Sequence, residues 1–202
     1  MHETAAPHIV IARPHEPLTQ AEFLAWELQQ DEKHECVDGY IYPLFGDRTS
    51  RGFAGGTGSH AQLAAELTSL VLPAARPCRT YGSDMRIETV RSTRYADVFV
   101  TCDERDRNDG LVMRHPKLIV EVLSESTARE DLGPKMREYQ TIDALEEYLI
   151  IDSRKRWVQS VRRIENRWAS STPVTDGVFD LISISLAIDC GRLYDAVGIP
   201  GL

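Results

Sequence analysis

Residues 116–124 read Pro116-Lys117-Leu118-Ile119-Val120-Glu121-Val122-Leu123-Ser124, an apolar run with one carboxylate set inside it. Strand alternation puts Glu121 on the face of Ile119 and Leu123, with Leu118, Val120 and Val122 on the other. Both faces are otherwise apolar, so the carboxylate loses hydration worth several kcal/mol unless a cation, a proton or hydrogen-bond donors compensate. The same problem recurs in Tyr95-Ala96-Asp97-Val98-Phe99-Val100, where Asp97 opens an apolar strand and shares a face with Phe99. Two such acids invite one shared cation. A plainer reading stays open on the residues alone: Glu121 near a solvated strand end paired with Arg or Lys, and Asp97 finishing a turn. Beyond Ser124-Glu125-Ser126-Thr127 the chain turns, and Asp131, Lys135 and Tyr139 recur every four residues on one helical stripe. A lysine is thereby available beside the strand end, although such a stripe by itself also describes a salt bridge on a wet helix face.

Working outward, strands are expected at Met85 to Thr89, Tyr95 to Thr101, Lys117 to Leu123 and Glu147 to Asp152. A last hairpin, Trp157 to Val161 with Arg167 to Ser170, turns around Glu165-Asn166. Glu35-Cys36-Val37 and Tyr40-Ile41-Tyr42 flank Asp38-Gly39, a dipeptide that accepts positive φ in a tight hairpin, which places Glu35 on a short strand. Helices are expected from Thr19-Gln20-Ala21-Glu22, which has capping-box spacing, to about Gln30. Two more are expected, from Ser59 to Leu72 with Pro73 as the stop, and from Pro134 to Thr141. Asp103 to Asp109 reads as a loop, and Gly46 to Gly58 as a mobile one without the Gly-Lys-Ser/Thr of a phosphate loop. This mixture of elements predicts an α/β sheet covered by helices.

The chain has 202 residues, 42% hydrophobic, which favours one domain. Residues 1–17, rich in Pro and His, are expected to be a flexible tail, and residues 18–202 the single domain. No apolar run approaches the roughly 20 residues of a membrane span. The first residues lack a secretory signal, so no membrane association and a cytoplasmic location are expected. Cys36, Cys78, Cys102 and Cys190 form no C-x-x-C pair and are expected to be buried reduced thiols. The formal charge of −8 opposes non-specific binding of polyanions, but Arg154, Lys155, Arg156, Arg162, Arg163 and Arg167 fall close enough together for a local basic face.

These blocks resemble the restriction endonuclease family of the Uma type, a branch of the PD-(D/E)XK nuclease superfamily. Glu35-Cys36-Val37-Asp38-Gly39 is similar to its E-L-I-D-G, and Ser59-His60 opens a helix carrying Leu63 and Leu67. Ala96-Asp97-Val98 is like its P-D-V, residues 116–124 are close to P-D-L-V-V-E-V-L-S, and Glu147 to Asp152 is similar to E-Y-W-I-V-D. The resemblance implies a restriction-endonuclease-like mixed sheet flanked by helices. It also implies a metal bound by Asp97, Glu121 and the Val122 carbonyl, with Lys135 supplying the positive group. The superfamily lysine stands two residues after the glutamate, where this chain has Leu123, so the role shifts to Lys135. Glu35 is similar to an N-terminal acid that holds a second ion or orients water, and His60 is a weaker site candidate. Ala96 for the usual proline, Tyr40 for an acid and Asp143-Ala144-Leu145 for Gly-Val-Pro are departures that remove no proposed ligand.

The resulting expectation is an Mg²⁺-dependent endonuclease, with Mn²⁺ as substitute, acting on DNA by attack of an activated water on the scissile phosphate. A homodimer would place one site on each strand. The alternatives are a catalytically silent nucleic-acid-binding or interaction module, and the same metal site acting on another phosphoester.

Overall fold

The computed structural model describes residues 16–44, 57–125 and 128–201. The elements in chain order are α1 (Gln20–Glu27), β1 (His34–Val37), β2 (Tyr40–Pro43), α2 (Gly58–Ala74), β3 (Arg79–Gly82), β4 (Arg86–Glu88), β5 (Ser92–Tyr95), β6 (Val98–Thr101) and α3 (Glu104–Asn108). They continue with β7 (Val112–Met113), β8 (Pro116–Leu123), α4 (Ala128–Asp131), α5 (Pro134–Tyr139), β9 (Glu147–Asp152), β10 (Val158–Ile164), β11 (Arg167–Ser170), β12 (Val178–Leu181), β13 (Leu186–Asp189) and α6 (Cys190–Ala196). A six-stranded mixed sheet runs β11-β10-β9-β8-β6-β3, with β8 and β9 its parallel pair. A second sheet runs β2-β1-β5-β4-β7, and β12 with β13 forms a separate hairpin.

The alternation read in β8 holds. Leu118, Val120 and Val122 enter one core with Leu63, Leu67 and Val71 of α2 and Leu193 and Tyr194 of α6. Ile119 and Leu123 enter the other, with Phe99, Tyr139, Leu145 and Tyr148. Each fully buried side chain of this size contributes about 1.5–3 kcal/mol, which fixes the register against a one-residue slip that would exchange the faces. Both tight hairpins are built as their dipeptides require. Asp38 and Gly39 have φ of 53° and 83°, and Glu165 and Asn166 have φ of 46° and 64°. Thr19 and Glu22 close the capping box of α1.

Four expectations are corrected. The strand read through 95–101 is two strands in different sheets, β5 and β6, with the chain crossing at Ala96-Asp97. Residues 104–108 are a short helix rather than a loop, because the Asp103 carboxylate caps the Arg105 amide. Pro73 lies inside α2, in its last turn, where one missing amide is tolerated because the Ala75 N–H still bonds to the Val71 carbonyl. Cys78 and Cys102 are joined as a disulfide, since the β3–β6 register that pairs Arg79 with Thr101 sets them opposite each other; Cys36 and Cys190 are buried and free. The expected glycine-rich loop and most of the tail lie outside the described residues.

The basic run after β9 is largely committed internally. Arg154 pairs with Asp152, Arg156 with Asp195, and Arg162 with Glu147, while Arg163 donates to the carbonyls of Gln140 and Ile142 and lies over the Trp168 ring.

Candidate active site

The crossing between sheets decides where Asp97 sits. In the antiparallel pairing of β6 with β8, Val98 faces Val120, so Asp97 follows on beside Glu121 and Val122. Asp97 Oδ2 accepts the Val122 amide at 2.7 Å. His60, in the first turn of α2, brings Nε2 to 3.4 Å from the same oxygen and donates to the Val122 carbonyl. Its pKa is raised, first by the hydrogen bond to Asp97, against a lowering by burial. Asp97, Val122 and His60 thus form one contact set at the end of the central strand.

Glu121 is 3% exposed and points to the opposite core. Lys135 Nζ, from α5, lies 2.8 Å from its Oε1 and 3.4 Å from Asp131 Oδ1. Oε1 has the Lys135 ammonium as its ion-pair partner and no further hydrogen-bond partner among the described residues. The attraction is electrostatic and strong at this depth. Burial pushes the Glu121 pKa well up, Lys135 pulls it down, and Asp131 and Asp97 push it up again. That last influence puts Asp97 within electrostatic reach of Glu121. Burial opposes the charge on Lys135, yet Glu121, Tyr139, Asp131 and Glu35 together hold its pKa well above the usual value. Gly133 makes the junction: it separates α4 from α5 with backbone angles of −128° and −104°, letting Asp131 and Lys135 both turn inward.

Glu35 lies on β1, whose register with β5 carries it opposite Arg94. Its Oε2 accepts from Arg94 Nη1 at 3.0 Å and its Oε1 from the Tyr95 amide at 3.2 Å. Both oxygens are engaged, which leaves Glu35 oriented by a guanidinium rather than offered to a second ion. Arg94, with a side chain 4% exposed, also donates twice to Glu138 (2.7 and 2.8 Å) and once to Glu130 (2.9 Å). It is the residue that reading the sequence missed. Its partners lie 36 to 59 positions away, so no local spacing signals it. Burial opposes its charge, but Glu138 and Glu35 raise its pKa far above an already basic value.

Among the described residues, no three His, Cys, Asp or Glu side chains converge as a metal cage. The oxygens nearest this strand end are hard ones: the Asp97 carboxylate, which accepts the Val122 amide, the Val122 carbonyl, and the Glu121 carboxylate one residue earlier on the strand. Such a set suits Mg²⁺, which takes one or two protein carboxylates and keeps several waters. Glu121 Oε1, with the Lys135 ammonium beside it and no further hydrogen-bond partner among the described residues, fits that requirement.

The comparisons with known proteins bear on the fold and the family. A solved structure from Anabaena variabilis, described as a "putative nuclease belonging to DUF820", superposes with a TM-score of 0.69 at 15% identity, covering 90% of this chain and 99% of that one. At that identity the likeness shows the fold. Two Synechocystis proteins, both described as uncharacterized, are similar in sequence. The protein slr1290 is 37% identical over 69% of this chain and 71% of its own length, and sll1609 is 36% identical over 74% and 83%. The profile of the family described as "Uma2: Putative restriction endonuclease" matches residues 20–187, and with these relatives it establishes that the chain belongs to the Uma2 family.

Proposed function

We propose that this protein is a metal-dependent, endonuclease-like phosphodiester hydrolase acting on DNA, with Asp97, Glu121 and the Val122 carbonyl holding Mg²⁺, or Mn²⁺ in its place. The observation that carries the reading is the fully buried Glu121–Lys135 pair lying beside Asp97, an ionic arrangement with no packing need at the end of a central strand. When bound, the metal would lower the pKa of a coordinated water and neutralise charge on the scissile phosphate. Lys135 orients that water and stabilises charge developing on the phosphate. Glu35 acts through Arg94, keeping the Lys135 helix against β5. His60, bonded to Asp97 and the Val122 carbonyl, holds these two donors in register.

Plasmid nicking with Mg²⁺ or Mn²⁺ tests the reading. Asp97→Ala and Glu121→Ala are expected to lower the rate at least a hundredfold, whereas cleavage at the wild-type rate would overturn the assignment. A second reading, a DNA-binding or interaction module that does not cut, is favoured by the net charge of −8 and by the arginines spent on internal pairs. It predicts salt-dependent DNA binding with no nicking by the wild type and no Mn²⁺ site by calorimetry.

A further inference from the structure

Two buried tyrosines pack beside the Glu121–Lys135 pair, and their hydroxyls are in different situations. Tyr148 donates to the Asp131 carbonyl at 3.0 Å. The Tyr139 ring lies 6.1 Å from that of Tyr148 and 6.0 Å from Lys135 Nζ, completely buried, yet its hydroxyl has no hydrogen-bond partner among the described residues. Glu121 Oε1 has the Lys135 ammonium at 2.8 Å and no further hydrogen-bond partner among the described residues. Burial raises the phenol pKa, Lys135 and Arg94 lower it, and Glu121 and Glu35 raise it, so the hydroxyl feels all four charged groups of the centre. An unsatisfied buried hydroxyl costs free energy that an isosteric phenylalanine would not. An unpartnered phenol beside an ion pair whose carboxylate oxygen can accept a second bond describes a place for a small oxygen ligand.

We propose that Tyr139 Oη and Glu121 Oε1 together bind one water molecule, and that Tyr139 is thereby a positioning residue for the water handled by Lys135. The water accepts from the phenol, donates to the carboxylate and lies within reach of the ammonium, the two to four partners usual for an internal water. The first half stands on the unpartnered phenol and the ion pair beside it, and the second rests on the hydrolase reading.

Tyr139→Phe separates the outcomes. If the hydroxyl holds a water, its removal lowers the thermal midpoint by about 2–4 °C. An unchanged or raised midpoint overturns the proposal. A high-resolution crystal structure of the wild type should show an ordered water within hydrogen-bonding distance of both Tyr139 Oη and Glu121 Oε1, and its absence there is equally fatal. In the Mg²⁺ cleavage assay, Tyr139→Phe is expected to lower kcat about tenfold with KM unchanged. A lowered midpoint with unaltered kcat refutes the positioning role. Should the wild type not cleave at all, the positioning half falls with the hydrolase reading, while the midpoint and the crystal still decide the water site.

Discussion

Lys135 and Glu121 are tolerable in the interior chiefly because of each other, with Asp131 sharing the lysine. Removing one partner of such a pair leaves an uncompensated buried charge, typically at a cost of about 3–5 kcal/mol, whereas replacing both by apolar groups is often close to neutral. Lys135→Met and Glu121→Leu are each expected to lower stability by that order in urea melts, and the double variant to recover most of the loss. Additive losses would show that the pair contributes little. His60 gives a pH signature of known sign. Its folded pKa is raised above the usual value near 6.5, chiefly by Asp97, so its contribution is fully present below pH 6.5 and lost as pH rises through the folded value. The stability difference between wild type and His60→Gln, followed by urea melts across pH 5–9, is therefore expected to be largest at the acid end. A difference that grows with pH contradicts the Asp97 contact. At this scale the sequence exposed much of the centre, because an acid within an apolar strand is visible in one dimension. Arg94 was not visible, because what makes it central is the convergence of Glu35, Glu130 and Glu138 from three distant elements.

Among the elements, the junction of α4 and α5 is sensitive to a single change. A methyl group on Gly133 would stand 2.9 Å from the Arg129 carbonyl oxygen, closer than real side chains come. Gly133→Ala is expected to cost about 1–3 kcal/mol in thermal unfolding, by the strain of relieving that contact. It should also weaken cleavage by displacing Lys135, even though no charged group is altered. A variant as stable as wild type would mean that the junction relaxes freely. The elements that could be read from the sequence were those with long periods or explicit turn chemistry: β8, β9, α2 and the two tight hairpins. The break between β5 and β6, at Ala96-Asp97, was read through as one strand because its flanks, Tyr95 and Val98 to Thr101, are strand-forming whether one sheet or two receive them. The four-residue strands β12 and β13 and the helix α6 are too short to establish a period, and tertiary packing against α2 and β8 defines them.

For the whole molecule, the disulfide between Cys78 and Cys102 is a covalent tie across the outer strands of the larger sheet. Titration of the unreduced, denatured protein is expected to find two thiols, and four after reduction; four from the start would contradict the pairing. Closing a loop of 24 residues stabilises by about 3 kcal/mol in the chain-entropy account, so Cys78→Ser should lower the urea midpoint accordingly. The fold class was legible from the order of helices and strands, but the division into two sheets was not. That division has a consequence for how the protein could change over time. Among the described residues, the sheets carrying Glu35 and Glu121 are joined by the chain crossing at Ala96-Asp97 and by side chains, Arg94 first among them, rather than by a ladder of main-chain bonds. Single substitutions among those side chains can therefore shift Glu35 while the strand that holds Glu121 stays as it is.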